Sequence, residues 1–199
     1  MRPCSVDELV DLAMETSLGR RLVVLIDGRS GAGKTTLAHE LADVLAQRLG
    51  QPVHIVSLDD VYPGWHGLAT AAAAVPQMLA PVRPGYRRYD WAQGRLADWV
   101  SLDPTAPIIV EGSGALTRES APIATLSVWL DGPEAVRRRS VVVRDGPVDN
   151  WWDDWSAQET AHIAADNSIA LADVVLEASP SGLQSPSILG KSTKGQRVA

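Results

Sequence analysis

Apolar residues fall along the chain in two alternating rhythms. Leu22-Val-Val-Leu-Ile26 is an unbroken run rich in β-branched residues, as a strand buried on both faces requires. Leu37, Leu41, Val44, Leu45 and Leu49 then recur at helical spacing, which predicts a helix ending at Gly50. The exchange repeats: Val53 to Leu58, Pro107 to Val110, Ala124 to Leu130 and Ala172 to Glu177 read as four further strands. Ser5 and Glu8 form a capping-box pattern before an apolar stripe of Val6, Leu9, Val10 and Ala13, so a short helix precedes the first strand. Further helices are expected through Ala69 to Leu79, from Trp91 to Val100, after Pro133 at a first helical position, and from about Asn150 to Ala165. Residues 63 to 90 are rich in Pro, Gly and Ala, with a turn at Arg83-Pro-Gly85, and read as an excursion from the sheet. Beyond Ala178 no apolar period continues, so residues 179–199 are expected to form a flexible tail. Strands alternating with helices predict one α/β domain over 1–178, three layers deep (α/β/α), around a parallel five-stranded sheet. Ligands of such sheets gather at the carboxyl edge.

Composition narrows the partners. With 199 residues and 45% hydrophobic content the chain supports one core, not two. A formal charge of −6 with no broad basic stripe argues against nucleic acid as partner and leaves small phosphorylated molecules as the natural ligands. Cys4 is the single cysteine, which excludes an intramolecular disulfide framework and a cysteine-ligated cluster. No run has the length of a transmembrane helix, and acids at Asp7, Glu8, Asp11 and Glu15 stand where a signal peptide needs an apolar core. A cytoplasmic protein without membrane partners is expected; the oligomeric state is left open.

Between the first strand and its helix stands Gly28-Arg29-Ser30-Gly31-Ala32-Gly33-Lys34-Thr35, which fits G-x-x-x-x-G-K-T, the Walker A phosphate-binding loop. A nucleoside triphosphate needs several backbone N–H groups converging on its oxygens, and glycine tolerates the tight backbone this demands. Lys34 is suited to the β- and γ-phosphates, Thr35 to Mg²⁺, and the residues from Gly28 through Thr36 form the predicted ATP-binding set. Together with the strand order, the loop predicts the P-loop NTPase fold. It specifies a nucleotide and no reaction. Neither an N-K-x-D guanine signature nor an L-S-G-G-Q transporter signature is present, and no strand ends in Asp-Glu.

The loop, Asp59-Asp60-Val61-Tyr62, Tyr89-Asp90-Trp91, Val110-Glu111-Gly112 and Arg144-Asp145 occur in the order seen in the uridine kinase and phosphoribulokinase superfamily. Residues 20 to 178 resemble that superfamily, with the region 137–156 matching its lid and Trp152-x-x-Trp155-x-x-Gln158-Glu159 resembling the helix after the lid in actinobacterial uridine kinase-like proteins. The resemblance implies an ATP- and Mg²⁺-dependent kinase that passes the γ-phosphoryl to an alcohol acceptor. It implies Asp59 as the carboxylate at the accepting hydroxyl, with Asp60 open as sharing that role, and Lys34 and Arg144 as the other catalytic groups. Thr35 and Glu111 are implied at the metal. Asp60, Tyr62, Tyr89 and Asp90 are implied at the acceptor. Arg137, seven residues before Arg144, shares its helical face and is a second candidate phosphate clamp. Large aromatics at the spacing of Trp152 and Trp155 are expected to pack on the core. After Tyr89-Asp90-Trp91 the chain reads Ala92-Gln93-Gly94-Arg95, without the histidine that contacts the base in uridine-specific relatives. The acceptor therefore stays open between a nucleoside, the leading candidate, and an acid such as pantothenate or glycerate. The alternative from another class is an ATP-binding sensor that turns over no acceptor.

Overall fold

The structure, a computed structural model, describes residues 2–179 and 182–188. Its elements are β1 (Arg2–Pro3), α1 (Val6–Thr16), β2 (Val23–Gly28), α2 (Lys34–Leu49), β3 (His54–Ser57), a 3₁₀ turn at Leu58–Asp60, and α3 (Leu68–Met78). There follow β4 (Gly85–Asp90), β5 (Arg95–Ser101), β6 (Ile108–Glu111), β7 (Leu126–Asp131), α4 (Glu134–Asp145), α5 (Trp152–Asp166), α6 (Ser168–Leu171), β8 (Val174–Ser179) and β9 (Gly182–Ile188).

Five parallel strands form the centre of the sheet in the order β3-β6-β2-β7-β8, as the apolar runs predict. Alternation along each strand divides the core between the two faces. Val23, Leu25, Ile108, Val110 and Trp129 point to the side covered by α3 and α5. Val24, Ile26, Ile109, Val128 and Leu130 point to the side covered by α1 and α2, where Leu9, Val10, Leu37, Leu41 and Leu45 meet them. That is the three-layer arrangement. Leu25 is fully buried between its neighbours, and truncating such a side chain to alanine costs about 2–5 kcal/mol. The expected capping box holds α1: the Glu8 N–H donates to Ser5 Oγ at 3.2 Å and the Ser5 N–H donates to Glu8 Oε2 at 3.1 Å.

Two expectations are corrected. Residues 91–100 do not form a helix. Arg95–Ser101 pairs antiparallel with Gly85–Asp90 as a separate two-stranded hairpin. The Asp90 carboxylate accepts the Gln93 N–H at 3.0 Å, Gly94 turns at positive φ, and the Trp99 ring lies over Gly85, where a Cβ would collide with it. Residues 182–188 are likewise not an unstructured tail. They form β9, antiparallel to β8 on one side and to β1 on the other. The register shifts between Val175 and Glu177, beside the stretch of β9 that carries Pro186, a residue with no N–H for the ladder. Residues 180–181 and 189–199 of the expected tail lie outside the described residues.

Candidate active site

The carboxyl ends of β2, β3 and β6 bring the phosphate loop, Asp59 and Glu111 to one edge. β6 pairs directly with β2, with Ile26 opposite Glu111, so the β6 carboxylate stands beside the loop that leaves β2. The loop needs glycine at two places for reasons of space. A Cβ at Gly28 would overlap the Leu130 carbonyl, and one at Gly31 would overlap the Arg137 carbonyl; both residues also have φ in the left-handed half of the map.

A cavity of about 330 Å³ opens over the loop, within the size range of small-ligand sites. Ser30, Gly31, Gly33, Lys34, Thr35 and Thr36 line one wall. Asp59, Tyr62 and Trp155 line another, and Glu111, Ser113 and Arg144 complete it. Thus Lys34, Thr35, Asp59, Tyr62, Glu111 and Arg144 converge from four separate stretches of sequence. Lys34 is nearly buried, and its Nζ donates to the carbonyls of Gly28 at 2.9 Å and Arg29 at 3.1 Å, with Ser113 Oγ at 3.4 Å. Its ammonium is folded onto the loop's own acceptors.

Thr35 Oγ1 donates to Glu111 Oε1 at 3.2 Å. A hydroxyl and a carboxylate adjoining a phosphate cradle are an oxygen donor set that suits Mg²⁺, whose remaining positions are filled by water and phosphate. Among the described residues no group of three or more His, Cys, Asp or Glu is placed to hold a metal.

Arg144 extends from α4 into the cavity and is gripped by Asp145 through Nε at 2.8 Å and through its second terminal nitrogen at 2.7 Å, which holds it more firmly protonated than an ordinary arginine. Both groups are half-exposed, and such pairs are worth at most about 1 kcal/mol, so an incoming anion loses little by competing for the guanidinium. Arg137 has another task than the one its spacing suggests. It is buried behind the loop, donating to the carbonyls of Gly132 at 2.9 Å and Ser30 at 3.1 Å, beside Asp131 at 3.4 Å and with the Trp152 ring 5.9 Å away. It braces the loop from the rear. Arg29 also points away from the cavity, donating to Thr160 Oγ1 at 3.2 Å, and Ala32 is buried beneath the loop.

Tyr62 is fully buried but for its edge on the cavity, and its hydroxyl donates to the Ser113 carbonyl at 2.8 Å. Burial, reinforced by Asp59 and other surrounding carboxylates, pushes its phenol well above the usual range, so it serves as a wall and a donor and never as a base. Asp60, Tyr89 and Asp90 do not line this cavity. Asp90 caps the hairpin turn, and Tyr89 packs edge-on against Trp91 at 5.2 Å. Their link to the site is indirect: the Trp91 indole N–H donates to the Asp59 carbonyl at 2.7 Å, and Trp91 lies 5.0 Å from Trp65, which stacks on Trp151 at 4.5 Å. The hairpin, the Asp59 turn and the start of α5 are thereby joined by one aromatic row.

Three residues of the site carry no sequence expectation of this kind. Asp27 is buried at the end of β2 and accepts N–H groups from Gly28, Gly114 and Leu116 at 2.6, 2.9 and 2.8 Å, which fixes the 112–116 loop against the phosphate loop. Burial pushes its carboxyl above the usual range against the pull of those three donors. Ser113 follows the Glu111-Gly112 step and touches Lys34. Glu159, fully buried on α5, takes the Ser30 N–H at 2.7 Å. The expected packing of Trp152 and Trp155 is present, both rings being buried, and Trp155 also stands edge-on to Tyr62 at 4.8 Å inside the cavity wall. The W-x-x-W-x-x-Q-E pattern was the available signal for Glu159, but spacing alone does not say which strand end a helix faces.

No protein-family model matches the chain, and no curated protein matches it. Solved structures do match. A possible uridine kinase from Bacillus stearothermophilus is similar over 85% of this chain and 98% of its own, at 24% identity and a TM-score of 0.56. A putative fructose transport system kinase from Silicibacter sp. TM1040 is similar over 85% and 93%, at 22% identity and a TM-score of 0.54. At these identities the likeness is one of fold, and the chain accordingly has the P-loop fold that uridine kinase-like kinases share.

Proposed function

We propose that this protein is an ATP- and Mg²⁺-dependent kinase that transfers the γ-phosphoryl group to the hydroxyl of a small alcohol. One observation carries the reading: Asp59 and the aromatic wall of Tyr62 and Trp155 share a single cavity with Lys34, Thr35 and Arg144. Residues suited to phosphate and a carboxylate suited to a hydroxyl line one space of substrate size, which supports the reading. The kinases of similar fold support the class of reaction.

Phosphoryl transfer asks the protein chiefly to position reactants and neutralise charge. The backbone of the loop, Lys34 and the N-terminus of α2 hold the phosphates. Lys34 exchanges the Gly28 and Arg29 carbonyls for β- and γ-phosphate oxygens, and Arg144 turns from Asp145 toward the transferred group. Thr35 and Glu111 would hold Mg²⁺, which would supply further neutralisation of the triphosphate. Asp59 accepts the proton of the attacking hydroxyl as the bond to the leaving phosphate breaks. Its backbone is held by Trp91 and its side chain opens on the cavity. Tyr62 and Trp155 give the acceptor an apolar wall, and a nucleoside is the leading candidate acceptor.

The test is ADP release from Mg²⁺-ATP across a panel of uridine, cytidine, other nucleosides, pantothenate and glycerate. One acceptor is expected to accelerate release many-fold, and Asp59→Asn to remove the acceleration. Slow release that no member of the panel alters would argue against the kinase.

A further inference from the structure

Glu159 uses only half of its carboxylate. Oε1 receives the Ser30 N–H at 2.7 Å, the Trp155 indole N–H at 3.1 Å and lies 2.9 Å from Ser113 Oγ. Oε2 is buried and, among the described residues, receives no hydrogen bond; the Arg29 guanidinium lies 3.9 Å away. An amide in the same place would keep all three hydrogen bonds through its oxygen and would put its N–H groups at the buried place of Oε2. None of the three hydrogen bonds therefore requires a full negative charge in a site where burying one is expensive.

The surroundings supply a reason. Ser113 Oγ stands between Glu159 Oε1 and Lys34 Nζ, 2.9 Å from the first and 3.4 Å from the second. The Gly28 carbonyl is a second acceptor for the serine proton at 2.9 Å; when that proton goes to the carboxylate, a lone pair is left for the ammonium, and the chain Lys34–Ser113–Glu159 joins a buried cation to a buried anion. Arg29 adds a second cation on the far side of the same carboxylate. In the free protein the positive phosphate loop thus contains its own counter-anion, delivered by α5.

We infer that Glu159 is a positioning residue that sets the affinity of the phosphate loop: its charge neutralises Lys34 in the empty site, opposes bound phosphate and so favours nucleotide release. The inference rests on the nucleotide-binding reading of the loop and goes beyond it in assigning a weakening role to a residue outside the loop. A mere brace of Ser30 makes the opposite forecast, since loss of a brace loosens binding or leaves it unchanged.

Isothermal calorimetry with Mg²⁺-ADP, AMP and pyrophosphate on wild type and Glu159→Gln separates the two. The amide is expected to tighten ADP and pyrophosphate by about tenfold or more, tenfold being the scale of one charge–charge coupling across about 12 Å at an effective dielectric of about 20, and to change AMP much less. If ADP release limits turnover, kcat falls in the variant while KM for ATP falls with it. Unchanged or weaker ADP binding in a folded Glu159→Gln protein would overturn the inference. Should the amide's N–H groups, buried beside Arg29 where no acceptor meets them, keep Glu159→Gln from folding, Glu159→Met takes its place, and ADP binding no tighter than in wild type would overturn the inference there as well. A second variant guards the measurement: Ser113→Ala removes the relay between anion and cation, and the tightening caused by Glu159→Gln is expected to shrink in that background. Wild-type protein that binds neither ADP nor pyrophosphate would contradict the nucleotide reading itself, a result distinct from binding that Glu159→Gln fails to strengthen.

Discussion

Lys34 and Asp59 face the same cavity and are expected to fail differently when replaced. Lys34→Ala removes the ammonium that meets the phosphates, so nucleotide affinity should drop and transfer should vanish. Asp59→Asn leaves the phosphate wall intact and should spare ATP binding while lowering kcat by about 10²-fold or more, as loss of a general base does. Calorimetry and steady-state kinetics on the two variants check the pair, and unchanged turnover in Asp59→Asn would remove Asp59 from the mechanism. Asp27 belongs to stability. Its two oxygens take three backbone N–H groups, and an amide must turn a donor toward at least one of them, so Asp27→Asn should cost about 1–3 kcal/mol. An unaltered midpoint in chemical denaturation would contradict that role. At this scale the phosphate loop is legible in the sequence because its residues are contiguous, whereas Ser113 and Asp27 act across the fold and carry no local pattern, and the pattern that holds Glu159 does not say what its carboxylate meets. Arg137 shows the converse. Its helical spacing to Arg144 suggests a shared task, yet one guanidinium braces the loop from behind and the other opens on the cavity.

Elements decide what the acceptor meets. The β4–β5 hairpin is a two-stranded ribbon, marginal by itself, and it is tied to the Asp59 turn through the Trp91 indole. Trp91→Phe keeps the ring among Tyr89 and Trp65 and removes only the hydrogen bond to the Asp59 carbonyl. Its expected effect is a several-fold loss of kcat with little change in KM for ATP; a change confined to the nucleotide would place the hairpin's influence elsewhere. The hairpin is also the element that sequence periodicity misreads. Residues 91–100 contain good helix formers, but Gly94 and the Asp90 cap commit the segment to a turn, and pairing with Gly85–Asp90 prevails over propensity. The buried strands are legible for the opposite reason, since β2, β6 and β7 are covered on both faces and read as continuous apolar runs.

Across the whole molecule, the five-stranded parallel centre follows from the strand and helix rhythm, and the edge beyond β8 does not. β9 carries Ser, Gln, Gly and Pro where strands usually carry β-branched residues, and it forms because β8 and β1 offer ladders on its two sides. Ending the chain after Ser179 should therefore lower Tm by several degrees, about the effect of 1 kcal/mol or more in a domain of this size, where an unpaired tail would leave it unchanged. Among the described residues no helix is long and apolar enough to cross a membrane. If one cavity holds both a nucleotide's phosphates and an alcohol beside Asp59, the γ-phosphoryl group of labelled ATP must pass to the acceptor that most accelerates ADP release. One phosphomonoester of that acceptor is expected for each ADP formed, and none with Asp59→Asn. Label recovered only as inorganic phosphate, at a rate that no acceptor changes, would contradict it.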